Sequence, residues 1–454
     1  MASITTYENL PINKLIEQLK NIKGHDITFD ELKEELTNGK YHLSLKDDDN
    51  LCMIYYNFVT SDEKKDDFVI NLERSCRSIV LEKQTLKPLV TQYNKILYND
   101  DTIEFLKDKE WKNVCVQKCY EGTLLLLFNY NDTWYITTRR CLDSKNSMWI
   151  RNNSYYEMFI DVMNDKFTFE DLNKDYCYHF VLVHHKNKNI VNYNWLGKDY
   201  KELFHIMTTE KYTLFEVECK INDKVKYIQE ETFDSLNDLI SELNAQDELD
   251  KKYQKITNEG YVLKYYHGEK GKSPFTTLKL QTNIYETLMK LKPNNSNIYQ
   301  CFLELYQKDK LNEFMPYFTK FGGDVVKRIH VSMQTLSREL LDLYHITRNK
   351  KNVELYNELT NSYKKCLYKL HGLYIKNRSQ DFENGVDKSG LNDSIKSINV
   401  FDIYKYLKNL PANELRQIYY DRINSLENPL YVFLNKKCIN TMSQSTLMFK
   451  NNKP

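Results

Sequence analysis

Short apolar segments dominate the chain from about residue 50 to about residue 285. They are rich in β-branched and aromatic residues and are separated by turns of Asn, Asp, Lys and Gly, a pattern typical of β-strands. Helical spacing predicts two helices before these strands, at residues 10–22 and 29–36, and an acidic amphipathic helix at residues 235–245. The predicted strands include residues 78–81, 114–116, 122–128, 134–138, 180–183, 213–217 and 261–263.

The hydrophobic period changes to 3.6 residues after position 292. Ile329, Met333, Leu336, Leu340 and Leu343 are spaced for one face of a long helix, and a second long helix is predicted over residues 353–374. Residues 377–397 are polar and predict a loop, and two more helices follow at 401–410 and 412–426. We therefore predict an α+β fold with three parts: an N-terminal helical element (1–50), a mixed catalytic region (51–292) and an all-helical domain (293–454).

Composition limits the classes of protein that fit. The 454 residues are 41% hydrophobic with 12 Gly and 8 Pro, which excludes collagen-like, low-complexity and wholly disordered chains. The longest apolar run, residues 124–128, is far shorter than the roughly 20 residues that cross a bilayer, and residues 1–10 do not resemble a secretory leader. Ten cysteines without a CxxC pair indicate a reducing compartment, so we expect a cytoplasmic protein without a membrane partner.

The net charge of +1 conceals an uneven distribution along the chain. Residues 1–292 sum to −7 and residues 293–454 sum to +8. A positively charged domain attracts polyanions, and the C-terminal part is therefore the predicted partner for a nucleic acid.

The strongest local motif is Lys118-Cys119-Tyr120-Glu121-Gly122, between two apolar strands. A lysine at a strand end, next to a carboxylate and a glycine that lets a ligand approach, is the arrangement that a nucleophilic amine needs. Taken alone, the same residues also fit a surface turn, because lysine is abundant in this chain.

Further motifs accompany Lys118 in a fixed order, and together they carry a resemblance. They are RSCRSIV (74–80), QYNKILYN (92–99), TTRR (137–140), EGYVLK (259–264) and TLKLQT (277–282). This order resembles the covalent nucleotidyltransferase superfamily of ATP-dependent ligases and capping enzymes. The arginine of CRSIV and the lysine of NKILYN are similar to those of RNA ligases of the bacteriophage tRNA-repair type.

The resemblance, which covers roughly residues 70–290, implies a fold and a set of roles. The fold is a nucleotidyltransferase (ATP-grasp-like ligase) antiparallel-sheet domain followed by an all-α C-terminal domain. Lys118 would attack the α-phosphorus of ATP to form lysyl-AMP, Lys279 would contact the α-phosphate, and Glu259 would hold Mg²⁺, with Mn²⁺ as the alternative ion. The implied ATP-binding residues are Arg77, Lys95, Gln117, Glu121, Gly122, Arg139, Phe180, Lys264 and Gln281.

Individual roles follow from the same resemblance. Glu121 would bind a ribose hydroxyl, Gly122 would leave room for the sugar, and Phe180 would stack on adenine. Arg77 and Lys95 would contact the triphosphate. Two positions depart from the family pattern. Gln281 replaces a second lysine, for which Lys264, Lys270 or Lys272 could compensate, and the strand around Phe180 lacks the usual acidic residue.

The resemblance implies an ATP-dependent RNA ligase that joins a 3′-hydroxyl to a 5′-phosphate through lysyl-AMP and AMP-RNA. Its substrate would be RNA ends, plausibly of tRNA, and a separate kinase and phosphatase would prepare those ends, because GEKGKS (268–273) lacks P-loop spacing. Two alternatives stay open. One is an mRNA guanylyltransferase or DNA ligase on the same core, and the other is an RNA-binding relative that has lost the chemistry.

Overall fold

The computed structural model of the chain describes residues 10–57, 66–92, 95–150, 152–187, 190–270, 273–292, 298–317, 325–349, 351–383 and 398–424. The chain divides into two compact units, Met1–Met289 and Lys290–Pro454. No described helix is long and apolar enough to cross a membrane. The nine cysteines in the described ranges are all free thiols.

Unit 1 contains strands throughout and helices between them. Its strands are β1 Leu43–Asp47, β2 Leu51–Tyr56, β3 Arg77–Glu82, β4 Pro88–Thr91, β5 Leu97–Tyr98, β6 Val114–Cys119, β7 Thr123–Tyr130, β8 Thr133–Thr137, β9 Met148–Ile150, β10 Asn153–Ser154, β11 Tyr176–His184, β12 Lys201–Glu210, β13 Glu216–Val217, β14 Lys226–Tyr227, β15 Glu230–Glu231, β16 Gly260–Tyr266 and β17 Phe275–Gln281. Its helices are α1 Pro11–Lys23, α2 Phe29–Thr37, α3 Asp67–Ser75, α4 Asn99–Leu106, α5 Tyr155–Met163 and α6 Leu236–Tyr253, and α7 Asn283–Leu291 crosses the division.

Three larger sheets and a two-stranded sheet of β9 and β10 organise unit 1, and nearly all their strand pairs are antiparallel. The first sheet has the order β1-β2-β3-β4; the second has β13-β12-β11-β7-β8 with β14 on β12; the third has β15-β6-β16-β17-β5. The parallel pairs are β12 with β14 and β17 with β5. The prediction of an α+β fold with antiparallel sheets and a helical C-terminal region is confirmed.

The first helices belong to the core of unit 1. Leu15 of α1 and Leu32 of α2 are buried in one cluster with Ile54 of β2 and Leu81 of β3. α2 begins where its spacing predicted, because a capping box between Thr28 and Glu31 satisfies its first amide groups. The segment before residue 50 therefore packs with the following strands.

The third sheet packs one face against α6. Val116, Tyr261, Leu263 and Leu280 of that face are buried with Leu239 and Leu243 of the helix. α6 begins at its predicted position because Ser235 caps it, and it continues to Tyr253, beyond the predicted end.

Unit 2 is helical in its described parts. Its helices are α8 Ile298–Gln307, α9 Leu311–Phe314, α10 Val325–Tyr344, α11 Val353–Glu358, α12 Asn361–Glu383, α13 Val400–Lys408 and α14 Ala412–Asn424. α10 packs on α13, and α14 packs on α8 and α12. Arg422 and Glu339 form a buried ion pair of 2.6 Å within this unit.

Two expectations about these helices were wrong. The long helix predicted over 353–374 is divided into α11 and α12, because α11 ends at Glu358 and the backbone of the next residue, Leu359, is extended. The loop predicted from residue 377 is helical as far as Glu383, and residues 384–397 lie outside the described ranges.

In unit 1, the predicted strand 213–217 is reduced to β13, because Leu214 has a positive φ of 61° that interrupts extended structure.

Candidate active site

The register of the third sheet decides which motif residues share a face. Across β6, β16 and β17, Gln117 pairs with Val262 and Val262 pairs with Lys279; Cys119 pairs with Gly260 and Gly260 with Gln281. Directly paired residues of antiparallel strands place their side chains on the same face. Gln117, Cys119, Lys279 and Gln281 therefore lie on the face opposite α6.

Glu259, the residue before β16, joins Lys279 and Gln281 in one network. It is 4% exposed, forms an ion pair with the Lys279 ammonium, and accepts a hydrogen bond of 2.9 Å from Nε2 of Gln281. Burial by itself would lower the pKa of Lys279, but Cys119 and Glu259 beside it raise that pKa above its ordinary value. Lys279 is therefore a fixed positive charge.

Cys119 touches the same network. Its thiol is within hydrogen-bonding reach of both Lys279 and Glu259, and the residue is 7% exposed. Burial, followed by the negative charge of Glu259, raises the pKa of this thiol well above its ordinary value. Cys119 is a neutral thiol at physiological pH.

Glu121 fixes the loop that follows β11. Its Oε2 accepts hydrogen bonds from the backbone N–H groups of Ile190 (2.6 Å) and Val191 (2.7 Å), and its carbonyl accepts one from the Tyr193 hydroxyl (3.0 Å). Two charge-assisted bonds to backbone amides hold a loop firmly. Gly122 has a separate structural reason, because a Cβ there would lie 2.5 Å from the carbonyl oxygen of Leu182 on β11.

Lys118 lies on the other face of β6. It pairs with Tyr261, which pairs with Leu280, and both of these residues are buried against α6. Lys118 also lines a pocket of about 390 Å³ at the end of β6. The other lining residues are Cys119, Tyr120, Val191, Tyr193, Trp195, Gln246, Thr257 and Asn258. Because Cys119 and Tyr193 border the same space, the pocket extends round the end of the strand.

Arg77 and Arg139 are neighbours, and Tyr98 lies near both Arg139 and Lys279. The Arg139 guanidinium lies 4.5 Å from the Tyr56 ring, and the Lys279 ammonium lies 5.9 Å from the Tyr98 ring. Burial lowers the pKa of Arg139, while Tyr56 and Tyr98 raise it and Arg77 lowers it, so these groups are neighbours. The Nε atoms of Arg77 and Arg139 are buried and have no acceptor within the described ranges.

A hydrogen bond next to Arg77 holds this pair of arginines in place, and a backbone hydrogen bond anchors Lys95. Ser78, next to Arg77 and itself fully buried, donates its hydroxyl to the carbonyl of Arg139, and this bond ties β3 to the turn after β8. Lys95 is anchored by its backbone N–H, which donates 2.9 Å to the carbonyl of Arg74. Buried guanidinium donors without an acceptor are suited to an anion such as a phosphate.

Three residues that were predicted to contact ATP have protein partners instead. Phe180 is fully buried, and its ring packs 5.6 Å from those of Phe159 and Phe167 in the core of the second sheet. Lys264 forms a buried ion pair of 2.6 Å with Glu216. Gln281 acts on Glu259 and on Asn99, whose Oδ1 accepts its backbone N–H at 2.9 Å.

A metal ion has few protein ligands in this arrangement. Within the described ranges, no group of three or more His, Cys, Asp or Glu side chains is placed to hold one. Oε1 of Glu259 already receives Lys279 and Gln281, and Glu121 receives two amides. The residues do not form a protein cage for Mg²⁺, which usually keeps several waters or substrate phosphates as ligands.

Sequence reasoning missed Cys119, Tyr193 and Tyr285 as members of the site. Burial raises the pKa of both tyrosines, and the charges of Glu121 and Glu259 raise it further. Cys119 could have been found, because alternation along Val114, Val116 and Lys118 separates it from Lys118. The two tyrosines had no local signal in a chain with 35 Tyr.

No protein-family model matches the sequence. A curated relative is the "Immediate-early protein ICP-46 homolog" of Invertebrate iridescent virus 3, which is 28% identical over 144 residues. This alignment covers 29% of the present chain and 31% of that protein, so it spans less than a third of the relative's length.

Solved structures similar to this chain include ATP-dependent ligases. A "Putative ATP-dependent DNA ligase from Aquifex aeolicus" has 13% identity and a TM-score of 0.38, and covers 66% of this chain and 76% of its own. An "Archaeal ATP-dependent RNA ligase" in two forms has 11% identity and TM-scores of 0.36 and 0.40, covering 64% and 71% of this chain and 72% and 82% of its own. At TM-scores below 0.5, these similarities assign no activity to the present chain.

Proposed function

We propose that the chain is an ATP-dependent RNA ligase of the covalent nucleotidyltransferase type. It would join a 3′-hydroxyl to a 5′-phosphate in RNA through lysyl-AMP and AMP-RNA, with Lys118 as the nucleophile. The observation that carries the proposal is the convergence of separate motifs: Glu259 and Lys279 form an ion pair beside Cys119 at the end of β6. Arg139, from another part of the chain, lies near Tyr98, which also neighbours Lys279.

The cations of this site suit a polyphosphate. Lys279 holds a fixed charge, and Arg77 and Arg139 present buried Nε donors that an anion would satisfy. In the first step the neutral amine of Lys118 would form a nitrogen–phosphorus bond, the bond from the α-phosphorus to pyrophosphate would break, and the amine would release a proton. The cations would stabilise the charge that develops on the phosphates.

Lys118 would reach the nucleotide round the end of β6. The pocket that it lines also borders Cys119 and Tyr193, and Tyr193 lies close to the charges of Glu121 and Glu259. Mg²⁺ or Mn²⁺ would arrive with the phosphates of ATP, because Glu259 is already paired with Lys279.

RNA would be held by the positively charged C-terminal unit, whose residues 293–454 sum to +8. Lys364, Lys365 and Lys369 follow one side of α12, although Glu414 neutralises part of this charge by pairing with the last two. Broken tRNA is the proposed substrate in the cytoplasm, with a separate kinase and phosphatase preparing the ends.

Incubation with α-labelled ATP and Mg²⁺ tests the covalent step. We expect label on the wild-type protein and none on Lys118→Ala. Lys112→Ala is a matched control, because Lys112 lies just before β6, is exposed and pairs only at the surface with Glu110. Label that survives Lys118→Ala would contradict the proposal, and label from GTP in place of ATP would favour a capping enzyme.

The second candidate is an ATP- and RNA-binding relative without covalent chemistry. It is favoured by the orientation of β6, which turns Cys119 toward Lys279 and turns Lys118 toward α6. Wild-type protein that binds ATP and RNA but takes no label would select this candidate. Wild-type protein that binds neither would exclude both.

A further inference from the structure

Cys119 of β6 faces Lys279 and Glu259, whereas the predicted nucleophile, Lys118, lies on the other face of the strand. We infer that the side chain at position 119 controls the rate of adenylylation, and that a lysine placed there would react faster than Lys118. The inference rests on the proposed ATP site, but it does not require that the wild-type chain be an efficient ligase.

Strand alternation carries the first step. Cys119 shares its face with Gln117, Lys279 and Gln281, whereas Lys118 shares its face with Val116 and Tyr261. Val116 and Tyr261 are buried against α6, so this register is fixed: a slip by one residue would expose the apolar face of β6. Lys118 can therefore approach the cations only round the strand end.

Gly260 opens the space between position 119 and the cations. It stands between Cys119 and Gln281 in the register, and it brings no side chain into that row. Its φ is +137°, and a Cβ there would lie 2.1 Å from the carbonyl oxygen of Leu280, so a larger residue is excluded. The thiol of Cys119 reaches Lys279 and Glu259 across this gap.

The chemistry of Cys119 explains why the natural residue does not take over the reaction. Burial and Glu259 keep the thiol protonated, and a neutral thiol is a poor nucleophile. A lysine amine at this position would form a nitrogen–phosphorus bond with the α-phosphorus of ATP. The bond to pyrophosphate would break, pyrophosphate would leave, and the proton of the amine would pass to solvent.

The test compares wild type with the double variant Lys118→Ala/Cys119→Lys, in which residue 118 cannot react. Both receive α-labelled ATP and Mg²⁺, and ATP binding is measured separately by calorimetry. We expect the double variant to acquire label on residue 119 at least about tenfold faster than wild type acquires any. A double variant that binds ATP but labels no faster than wild type overturns the inference.

The two proposals fail in different ways. If the wild-type protein does not bind ATP, the proposed ATP site is wrong and the inference fails with it. ATP binding without label in the wild type, combined with label on the double variant, contradicts ligation through Lys118 and supports the inference.

A pair of inert substitutions keeps the inference testable if the lysine variant does not fold. Cys119→Met places an uncharged side chain about as long as that of lysine next to Lys279, and Cys119→Ala shortens the side chain to a methyl group. We expect methionine to weaken ATP binding at least about tenfold more than alanine does. Folding is verified by tryptophan fluorescence. A labelling rate and an ATP affinity both equal to wild type in a folded Cys119→Met variant would overturn the inference.

Discussion

The ion pair between Lys279 and Glu259 offers the sharpest test of the site's electrostatics. The Lys279 side chain is 14% exposed and that of Glu259 is 5% exposed. Lys279→Met would leave Glu259 buried with the amide of Gln281 and the neutral thiol of Cys119 as its remaining donors. Removing one partner of a buried pair costs about 3–5 kcal/mol of folding free energy, because the other charge is left uncompensated.

The companion variants separate pairing from packing. Glu259→Gln removes the opposite charge, and the double variant Lys279→Met/Glu259→Gln leaves no buried charge at the pair. We expect the double variant to recover about 2 kcal/mol or more relative to the sum of the two single losses, since coupled sites are not additive. Lys166→Met is a matched control, because Lys166 lies 2.6 Å from Glu202 with side-chain exposures of 15% and 6%.

Tryptophan fluorescence is the appropriate assay, because all four tryptophans lie in unit 1. Urea unfolding followed in this way reports the free energy of unfolding of that unit. Lys166→Met should cost less than Lys279→Met, because Lys226 still pairs with Glu202 at 2.9 Å, and it should leave ATP affinity unchanged. A loss below about 1 kcal/mol for Lys279→Met, or strict additivity of the cycle, would refute the reasoning.

Three further predictions concern other parts of unit 1. Gly260→Ala should destabilise the unit by at least about 2 kcal/mol in urea unfolding, because it combines a positive φ with a clash against Leu280; a neutral effect would contradict the close approach. Burial lowers the pKa of His205 to about 4, so its contribution to stability is complete above about pH 6.5 and is lost as the pH falls toward 4. His205→Leu should therefore reduce the pH slope of unfolding by up to about 1.4 kcal/mol per pH unit in that window, and an unchanged slope would exclude His205 as a source. Arg77→Ala should weaken ATP binding in calorimetry by about tenfold while AMP binding changes less, and equal losses for both nucleotides would place Arg77 away from the β- and γ-phosphates.

Much of the secondary structure of unit 1 could be predicted because its signals are local. The helix α2 has both its apolar spacing and its capping box within nine residues, and the apolar residues of β16 lie within the motif that begins at Glu259. β12, the longest strand of the described ranges, has a weak local signal because its apolar and polar residues do not alternate regularly.

The site was harder to predict because its geometry depends on partners distant in sequence. The order of motifs identified Glu259 and Lys279, which pair as neighbours. The burial of Phe180 depends on α5 and on the segment after it, and the partner of Lys264 is Glu216, which is 48 residues away. No pattern within the individual strands predicts these contacts of Phe180 and Lys264.

The sequence predicts that Lys118 and Cys119 lie on opposite faces of β6, but only the sheet shows which face meets α6. Alternation separates Lys118 from Cys119, but the apolar run Val114-Cys115-Val116 does not reveal which face meets α6. The tertiary packing of Leu239 and Leu243 on Val116 decides this question.

The most direct measurement is mass spectrometric mapping of AMP on the wild-type chain after incubation with ATP and Mg²⁺. An ATP-dependent RNA ligase should carry AMP on Lys118, and the Lys118→Ala variant should carry none. Wild-type protein that binds ATP but remains unmodified at Lys118 would contradict the proposed ligation mechanism.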